Sequence, residues 1–217
     1  VRPAEFERVI VDSTVQEKAI AHPVDSRLLE IARAKIVQGA KLAGLTLKQT
    51  FVKEGRELRR KAGGYAHAKQ FKRLRRVVKR QRTILGIVIR EIQRKLSAAS
   101  TDSPSRITRL NTLLERAERI RTQQPKDKNK LYALHAPEVE CIGKGKARKP
   151  YEFGVKTSIA VTHKSGLMVG ARTFPGNPYD GHVLNQQLEQ TTILLEDTGK
   201  SPQQVIVDLG YRGVDQD

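Results

Sequence analysis

The pattern of apolar and polar positions predicts strand-forming segments near both ends of the chain and helices between them. The opening run Phe6-Glu7-Arg8-Val9-Ile10-Val11-Asp12 is mostly apolar up to an acidic residue, which is typical of a strand buried on both faces. Residues 153–161 and 167–173 alternate with period two on either side of a turn, so they predict an antiparallel hairpin. Residues 205–208 predict another short buried strand.

Apolar residues at helical spacing predict the remaining elements. The first helix covers about 26–45, and the second carries an apolar stripe over 71–96 with Lys and Arg in the other directions. A third helix follows Ser103-Pro104, which suit an N-cap and a first turn. The last helix covers about 180–195, and Asp180 is placed to cap it.

The order of these elements predicts an α/β fold. A strand, helices, a hairpin, a helix and a second strand follow each other as in an RNase H-like mixed sheet with a large basic helical insertion between its first and second core strands. We expect residues 1–15 to form the first core strand, 16–136 the insertion and 137–217 the remainder of the core. Because the chain opens on Val1 and stops just after a strand, both ends are expected to be cuts through a longer protein.

The charge of the chain favours a polyanionic partner. Lys and Arg number 41 against 23 Asp and Glu, which gives a net charge of +18. Between Lys53 and Lys95 there are 16 basic and 3 acidic residues, a net charge of +13. A helix this basic repels itself unless phosphates or a partner neutralise it, so contact with a nucleic-acid backbone is favoured over a merely solvated face.

Other features of the sequence argue against several classes of protein. Cys141 is the only cysteine, so it forms no intramolecular disulfide, and no Cys/His cluster has the spacing of a structural zinc site. No apolar run approaches the length that spans a bilayer, and the N-terminus does not resemble a signal peptide. The expected location is the cytoplasm, in association with the nucleoid and not with a membrane.

A repeated tetrapeptide carries the candidate chemistry. Val-Ile-Val-Asp occurs at 9–12 and again at 205–208, each time as an apolar strand ending in a carboxylate. If the two strands are parallel neighbours, Asp12 and Asp208 stand side by side at the sheet edge where ligands bind. Paired carboxylates repel each other unless a divalent cation lies between them, and their hard oxygens suit Mg²⁺ or Mn²⁺. Such a pair in a basic protein points to chemistry on nucleic-acid phosphodiesters.

Five motifs in order resemble DDE-type bacterial insertion-sequence transposases over nearly the whole chain. They are Val11-Asp12-Ser13-Thr14, Gly143-Lys144-Gly145-Lys146, Tyr151-Glu152-Phe153-Gly154, Gly176-Asn177-Pro178-Tyr179-Asp180-Gly181-His182 and Asp208-Leu209-Gly210-Tyr211-Arg212-Gly213. The resemblance implies that Asp12 and Asp208 are the first and second acids of a triad that binds Mg²⁺ or Mn²⁺. It also implies hydrolytic nicking and strand transfer on double-stranded DNA, at transposon ends and target, by a homo-oligomeric complex.

The third acid of the family is a Glu on a helix downstream of the second Asp. Only nine residues follow Asp208, and none of them is Glu. Asp215 and Asp217 are acidic, but they lie too close to the strand to occupy that helical position. The chain as given is therefore expected to bind metal poorly and to cut DNA poorly or not at all.

The candidate DNA-binding residues are basic and fall in three places. Those of the long helix are expected to position DNA through its phosphates without reading bases. The glycine-interleaved loop before the hairpin is either a phosphate grip or a solvated linker, and the residue after the second Asp either steadies a scissile phosphate or forms a surface ion pair. The residues are Lys72, Arg73, Arg76, Lys79 and Arg80 on the helix, Lys144, Lys146, Arg148 and Lys149 in the loop, and Arg212.

Two alternatives remain open at this point. The chain could be a non-catalytic nucleic-acid-binding or interaction module that uses the basic helix, or a structure-selective nuclease or resolvase of the same fold. Binding needs only the Lys and Arg side chains, whereas phosphoryl transfer needs both Asp12 and Asp208 with a metal.

Overall fold

The computed structural model describes residues 2–98, 104–145 and 147–213, and within them the chain is a mixed α/β protein. It divides into two compact units. Residues 1–19 and 138–217 form the first, which we call the sheet unit, and Ile20–Pro137 form the second, which we call the helical unit.

The helices and strands are numbered in chain order. They are β1 (Arg8–Glu17), α1 (Asp25–Leu42), α2 (Val52–His67), α3 (Phe71–Ala98), α4 (Pro104–Thr122), β2 (Glu140–Gly143), β3 (Tyr151–Thr162), β4 (Met168–Phe174), α5 (Asp180–Leu194) and β5 (Gln204–Ile206).

Most of the predicted elements are present within a few residues of the expected bounds. The periodic segments became α1, α3, α4 and α5, and the alternating segments became the antiparallel pair β3 and β4. The N-cap expected at Ser103 lies outside the described residues. Two elements, α2 and β2, were not predicted, because α2 buries only Gly55 and Ala62 and β2 is four residues long.

The five strands in the described residues form one mixed sheet, and three of them pair directly with β3. The antiparallel pairing of β1 with β3 runs from Val9 opposite Thr162 to Glu17 opposite Gly154. Both β2 and β4 also pair with β3, while β5 pairs with β1 in parallel. The expectation that the first strand ends at its acidic residue is wrong, since the pairing with β3 carries β1 five residues past Asp12.

One face of this sheet packs against α5. The buried core of the unit combines side chains from one face of the strands with one residue after α5 and one after β5. These residues are Val9, Val11, Ala160, Val169, Leu195 and Tyr211. Gly154 lets β3 approach β1 closely, because a Cβ at this position would lie 2.1 Å from the carbonyl oxygen of Gln16. The residues that border the helical unit, Lys18 and Glu138, form an ion pair of 3.9 Å.

The helical unit has a core of its own between α1, α3 and α4. Its fully buried aliphatic side chains include Leu29, Ile36, Leu85, Val88, Ile92 and Leu110. Burying each such side chain contributes about 1.5–3 kcal/mol, so this core is the main source of the unit's stability. Within the described residues, no helix is long and apolar enough to cross a membrane.

A buried ion pair joins α1 to the segment that leads into α2. The guanidinium of Arg33 contacts Glu30 twice, through Nε at 2.9 Å and Nη2 at 2.7 Å. Its Nη1 donates to the carbonyl of Thr50 at 2.7 Å, so the buried charge is paired and hydrogen-bonded. Gly55 makes room for this pair, because a Cβ there would lie 2.3 Å from Glu30 Oε2.

Candidate active site

Asp12 lies on β1, and Asp208 lies two residues beyond the end of the neighbouring parallel strand β5. Ile10 of β1 is paired with Ile206 of β5, and each Asp follows its Ile by two residues. The valines that flank these isoleucines pack in the α5-side core, so side-chain alternation along β1 places Asp12 on the opposite face. Asp208 follows the end of β5, and its carboxylate lies near Asp180 at the start of α5. Both Asp residues are exposed. The predicted parallel pairing of the two tetrapeptides is therefore observed over their first two residues, Val9 and Ile10 with Val205 and Ile206.

Each carboxylate is held by one local hydrogen bond. Oδ1 of Asp12 accepts from the backbone N–H of Ser13 at 2.7 Å. Oδ1 of Asp208 accepts from the N–H of Gly210 at 2.7 Å, which caps the short turn that follows β5. Neither carboxylate accepts another hydrogen bond from the described residues, so oxygens remain available to a ligand.

The chemistry of this pair fits a hard divalent cation. Mg²⁺ and Mn²⁺ prefer carboxylate oxygens and retain several waters. Asp12 and Asp208, two exposed carboxylates that follow the paired residues of neighbouring strands, supply such oxygens. In the described part of the chain, no group of three or more His, Cys, Asp or Glu side chains could hold a metal. The fit therefore rests on the two carboxylates alone.

Tyr211 is a buried neighbour of these acids. It is 3% exposed, and its hydroxyl lies beside Ser158 without a well-formed hydrogen bond to any described residue. Burial, followed by the negative charge of Asp180, raises the pKa of Tyr211 to about 12. Asp12 and Asp208 act in the same direction, and Ser158 opposes them. The charges of three carboxylates thus act on this buried phenol, which the sequence analysis did not single out although the residue lies in a quoted motif.

Asp180 differs from its expected role as a helix cap. The N-cap of α5 is Tyr179, which makes no side-chain capping bond, and Asp180 is the first helical residue. Its Oδ1 lies 2.6 Å from Nζ of Lys156, and this ammonium also donates to the carbonyl of Pro178 at 2.6 Å. The Asp side chain pairs with a buried cation from β3 and is therefore not used as a cap. His182 contacts the ring of Tyr179 edge-on, with centroids 5.5 Å apart.

The turn after β5 is packed between two carboxylates. A Cβ at Gly210 would lie 2.8 Å from Oδ1 of Asp208 and 3.6 Å from Oδ2 of Asp180. The hydroxyl of Tyr179 donates to the carbonyl of Arg212, which ties the start of α5 to the same turn. The two motifs that contain Asp180 and Asp208 are therefore parts of one contact region.

The basic residues predicted on α3 lie exposed on its first three turns. No described residue forms an ion pair with Lys72, Arg76 or Lys79. Arg73 donates to Gln70 at 3.0 Å and stacks over the ring of Tyr65 at 5.9 Å. Glu54 of α2 contacts Arg80 at 2.7 and 3.1 Å, so an acid of the same chain compensates its charge. The sequence analysis had expected phosphates or a partner to neutralise the cations of this helix.

The predicted basic loop connects β2 to β3, and its residues differ in exposure and in ion pairing. Lys144 is half-buried and lines a cleft of about 420 Å³ together with Ser13, Thr14 and Lys156. Arg148 is exposed, whereas Lys149 forms ion pairs with Glu17 and Glu152. Lys146 lies outside the described residues. Arg212 is exposed just beyond the turn that follows Asp208.

The unpredicted helix α2 adds further cations to the helical unit. Arg56, Arg59 and Arg60 are exposed on α2, which packs beside α3. Their spacing of three and four residues puts them on one face of the helix. They escaped the sequence analysis because α2 itself was not predicted.

Comparison with known proteins finds similarity to a transposase domain over part of the chain. Residues 117–216 match the transposase DDE domain, a segment that includes Asp208 and most of the sheet unit but not Asp12. The uncharacterized protein ORF8 in the nfe locus of Rhizobium meliloti is 49% identical over 70 residues, which are 32% of this chain and 34% of that protein. The match thus spans about a third of the length of that relative. No solved structure matches the chain. The resemblance read from the motifs is confirmed over residues 117–216, which match the transposase DDE domain and make up a little under half of the chain.

Proposed function

We propose that the chain carries most of the catalytic core of a DNA transposase, which hydrolyses phosphodiester bonds at transposon ends and joins those ends to a target. The observation that carries the proposal is the parallel register of β1 and β5, which pairs Ile10 with Ile206, two residues before Asp12 and Asp208. Two carboxylates at one edge of a mixed sheet, in a chain of net charge +18, suit a negatively charged phosphodiester substrate. In this proposal the sheet is RNase H-like and the helical unit is its basic insertion.

Asp12 and Asp208 would hold Mg²⁺ or Mn²⁺ through the oxygens that no described residue occupies. The cation, when bound, polarises the attacking oxygen and stabilises the leaving oxygen of an in-line displacement. The two carboxylates orient the reacting groups, because each is fixed by a hydrogen bond from the backbone next to it. Lys144, beside the cleft that Ser13 and Thr14 line, is placed to contact a DNA phosphate near this edge.

Weak cation binding is part of the proposal. Two carboxylates fill few of the positions that an octahedral divalent ion offers, and the remaining positions go to water or substrate. We therefore expect the 217-residue chain to bind Mn²⁺ weakly and to nick DNA slowly or not at all. Metal-dependent nicking of a supercoiled plasmid that disappears in Asp12→Ala would contradict this expectation.

The DNA contact is proposed to lie on the first turns of α3. Lys72, Arg76 and Lys79 are exposed and free of acidic partners among the described residues, so phosphates can neutralise them. Arg73 and Arg80 already have partners on α2 or the segment that joins α2 to α3, and we assign them a smaller share.

Thermal unfolding with and without Mn²⁺ tests the proposed function. A ligand that binds only the folded state at ten times its Kd stabilises it by about 1.4 kcal/mol. We expect Mn²⁺ to raise the unfolding temperature of the chain, and we expect Asp12→Asn and Asp208→Asn each to abolish that rise. Asp127→Asn in the helical unit is the matched control and should retain it.

The same measurement separates catalysis from binding alone. The exposed cations of α3 also favour a module that binds DNA without cutting it, and such a module needs neither carboxylate. If Mn²⁺ stabilises the chain equally in all three Asn variants, the cation binds elsewhere and the transposase assignment of Asp12 and Asp208 fails.

A further inference from the structure

Lys156 is a buried cation in the sheet unit. The residue is 8% exposed, and it lies on β3, the strand that pairs with β1. A buried ammonium is costly unless it is paired and hydrogen-bonded, and Lys156 meets both conditions through Asp180 and the carbonyl of Pro178. Lys156 is therefore a paired ammonium group in the interior of the sheet unit.

The partner of Lys156 belongs to the surroundings of the candidate active site. Oδ2 of Asp180 and Oδ1 of Asp208 both lie against Gly210, at 3.6 Å and 2.8 Å from the position a Cβ would take. The negative charges of Asp180, Asp12 and Asp208 all act on the hydroxyl of Tyr211. Asp180 is thus a third carboxylate close to the pair, although it does not join them as a ligand group in the described residues.

The charges at this edge would be unbalanced without Lys156. Three carboxylates near one another repel, and a cation held by two of them would feel the field of the third. Because Lys156 lies 2.6 Å from Asp180, its positive charge offsets most of the negative charge of Asp180 at the positions of Asp12 and Asp208. The field at Asp12 and Asp208 is then set mainly by those two carboxylates.

We propose that Lys156 and Asp180 are a charge-balancing pair of positioning residues, which sets how tightly Asp12 and Asp208 hold a divalent cation. This inference rests on the proposed function, in which that cation binds between the two carboxylates. The contacts of Lys156 with Asp180 and with the carbonyl of Pro178 also hold the start of α5 against β3.

Charge balance makes a prediction that a purely structural role does not make. Lys156→Met leaves the negative charge of Asp180, so it should tighten Mn²⁺ binding by about fivefold. Asp180→Asn leaves the positive charge of Lys156, so it should weaken binding by about fivefold. The double variant Lys156→Met/Asp180→Asn is neutral again and should return the Kd to within about twofold of the unsubstituted chain.

The Kd for Mn²⁺ is measured on the 217-residue chain by titration, with the free ion detected by electron paramagnetic resonance. Thermal unfolding of each variant shows that it is folded at the temperature of the titration. If Lys156→Met does not fold, Asp180→Asn and the double variant still test the proposal, because the second must recover what the first loses.

The ion pair between Lys200 and Glu7, of 2.5 Å, is the matched control. It joins a lysine and an acid in the same unit, but it lies near the start of β1 and β5, before the paired residues that precede Asp12 and Asp208. Lys200→Met and Glu7→Gln should leave the Kd within about twofold of the unsubstituted chain, because both residues are distant from the carboxylates along the strands.

The outcomes distinguish this inference from the proposed function. Opposite shifts in the two single variants, with recovery in the double variant, support the charge-balancing pair. Shifts in the same direction, or no shift, overturn it while leaving the proposed function intact, provided that Asp12→Asn and Asp208→Asn abolish binding. Binding that survives in both of those Asn variants overturns both proposals.

Discussion

Asp12 and Asp208 each follow, by two residues, one member of the pair that Ile10 of β1 forms with Ile206 of β5. Like charges on neighbouring strands destabilise a sheet by about 0.2–1 kcal/mol. We expect a repulsion of this size between the two carboxylates in the metal-free chain.

The first prediction concerns this repulsion in the absence of metal. In a chelating buffer, Asp12→Asn and Asp208→Asn should each stabilise the sheet unit by up to about 1 kcal/mol, because Asn keeps the local hydrogen bond and removes one charge. Thermal denaturation of the three proteins measures the change. A clear loss of stability in either variant would show that the two carboxylates do not repel.

Tyr211 should make the sheet unit sensitive to alkali. Its pKa is raised to about 12 in the folded chain from about 10 when unfolded, first by burial and then by Asp180. The stabilisation by the neutral phenol is fully present below pH 10 and is lost as the pH rises to 12. Tyr211→Phe should remove this alkaline loss, roughly 2 kcal/mol, and cost little at pH 7 because the hydroxyl lacks a well-formed hydrogen bond within the described chain. Unfolding free energies at pH 7, 10 and 11.5 test both statements.

Glu91 should make the helical unit sensitive to acid. This residue of α3 is 6% exposed and accepts a 2.7 Å hydrogen bond from the backbone N–H of Lys48. That bond, and then Lys95, lower the pKa of the carboxyl group. Its stabilisation is present above the unfolded pKa, near 4.3, and disappears as the pH falls through the lower folded pKa. Glu91→Gln should cost about 1–3 kcal/mol at pH 7 and flatten the stability profile below pH 4.

Gly154 should tolerate no side chain. A Cβ there would lie 2.1 Å from the backbone carbonyl of Gln16, and a backbone atom cannot move without breaking the β1–β3 pairing. Gly154→Ala should destabilise the sheet unit by about 3 kcal/mol. Gly143→Ala on β2 is the control, because nothing lies within 4 Å of its Cβ position. Equal unfolding temperatures for the two variants would contradict this close approach.

DNA affinity should depend most on the unpaired cations of α3. Replacing Lys72, Arg76 or Lys79 with Ala should weaken binding to duplexes of any sequence and lower the slope of log K against log salt by about one. Lys61→Ala is the control, since Lys61 already pairs with Glu57 at 2.6 Å. Fluorescence anisotropy at several salt concentrations gives the slopes. A larger effect for the control than for the α3 variants would place the DNA contact elsewhere.

Periodicity predicted the long elements because each has a broad apolar face. The stripe of α3 buries Ile84, Leu85, Val88 and Ile92, and apolar residues at this spacing are typical of a helix that packs along one side. Helix α2 has no comparable stripe, since its tightest contact with α1 is made by Gly55, a residue that ordinarily disfavours helices. Helix α2 was therefore recognised only from its packing in the folded chain.

The strand pairing beneath the candidate site was predicted, but the surroundings of the site were not. The repeated tetrapeptide indicated that the two strands are parallel neighbours, and Ile10 is paired with Ile206. The ion pair of Lys156 with Asp180 joins residues on different elements, and an acid at the start of a helix is usually interpreted as a cap. Tyr211 lay inside a motif, but burial beside three acids is a property of the folded chain.

The chain leaves the sheet unit just after Lys18 and returns at Glu138, and these two side chains are 3.9 Å apart. The two ends of the sheet unit that flank residues 20–137 therefore lie close together. The helical unit has its own core and can fold first during synthesis, since β3 and β5 emerge later. Once folded, it removes most of the loop-closure entropy that would otherwise oppose the pairing of β1 with strands encoded far downstream. Early folding of the helical unit would thus shorten the flexible chain between β1 and the strands with which it pairs.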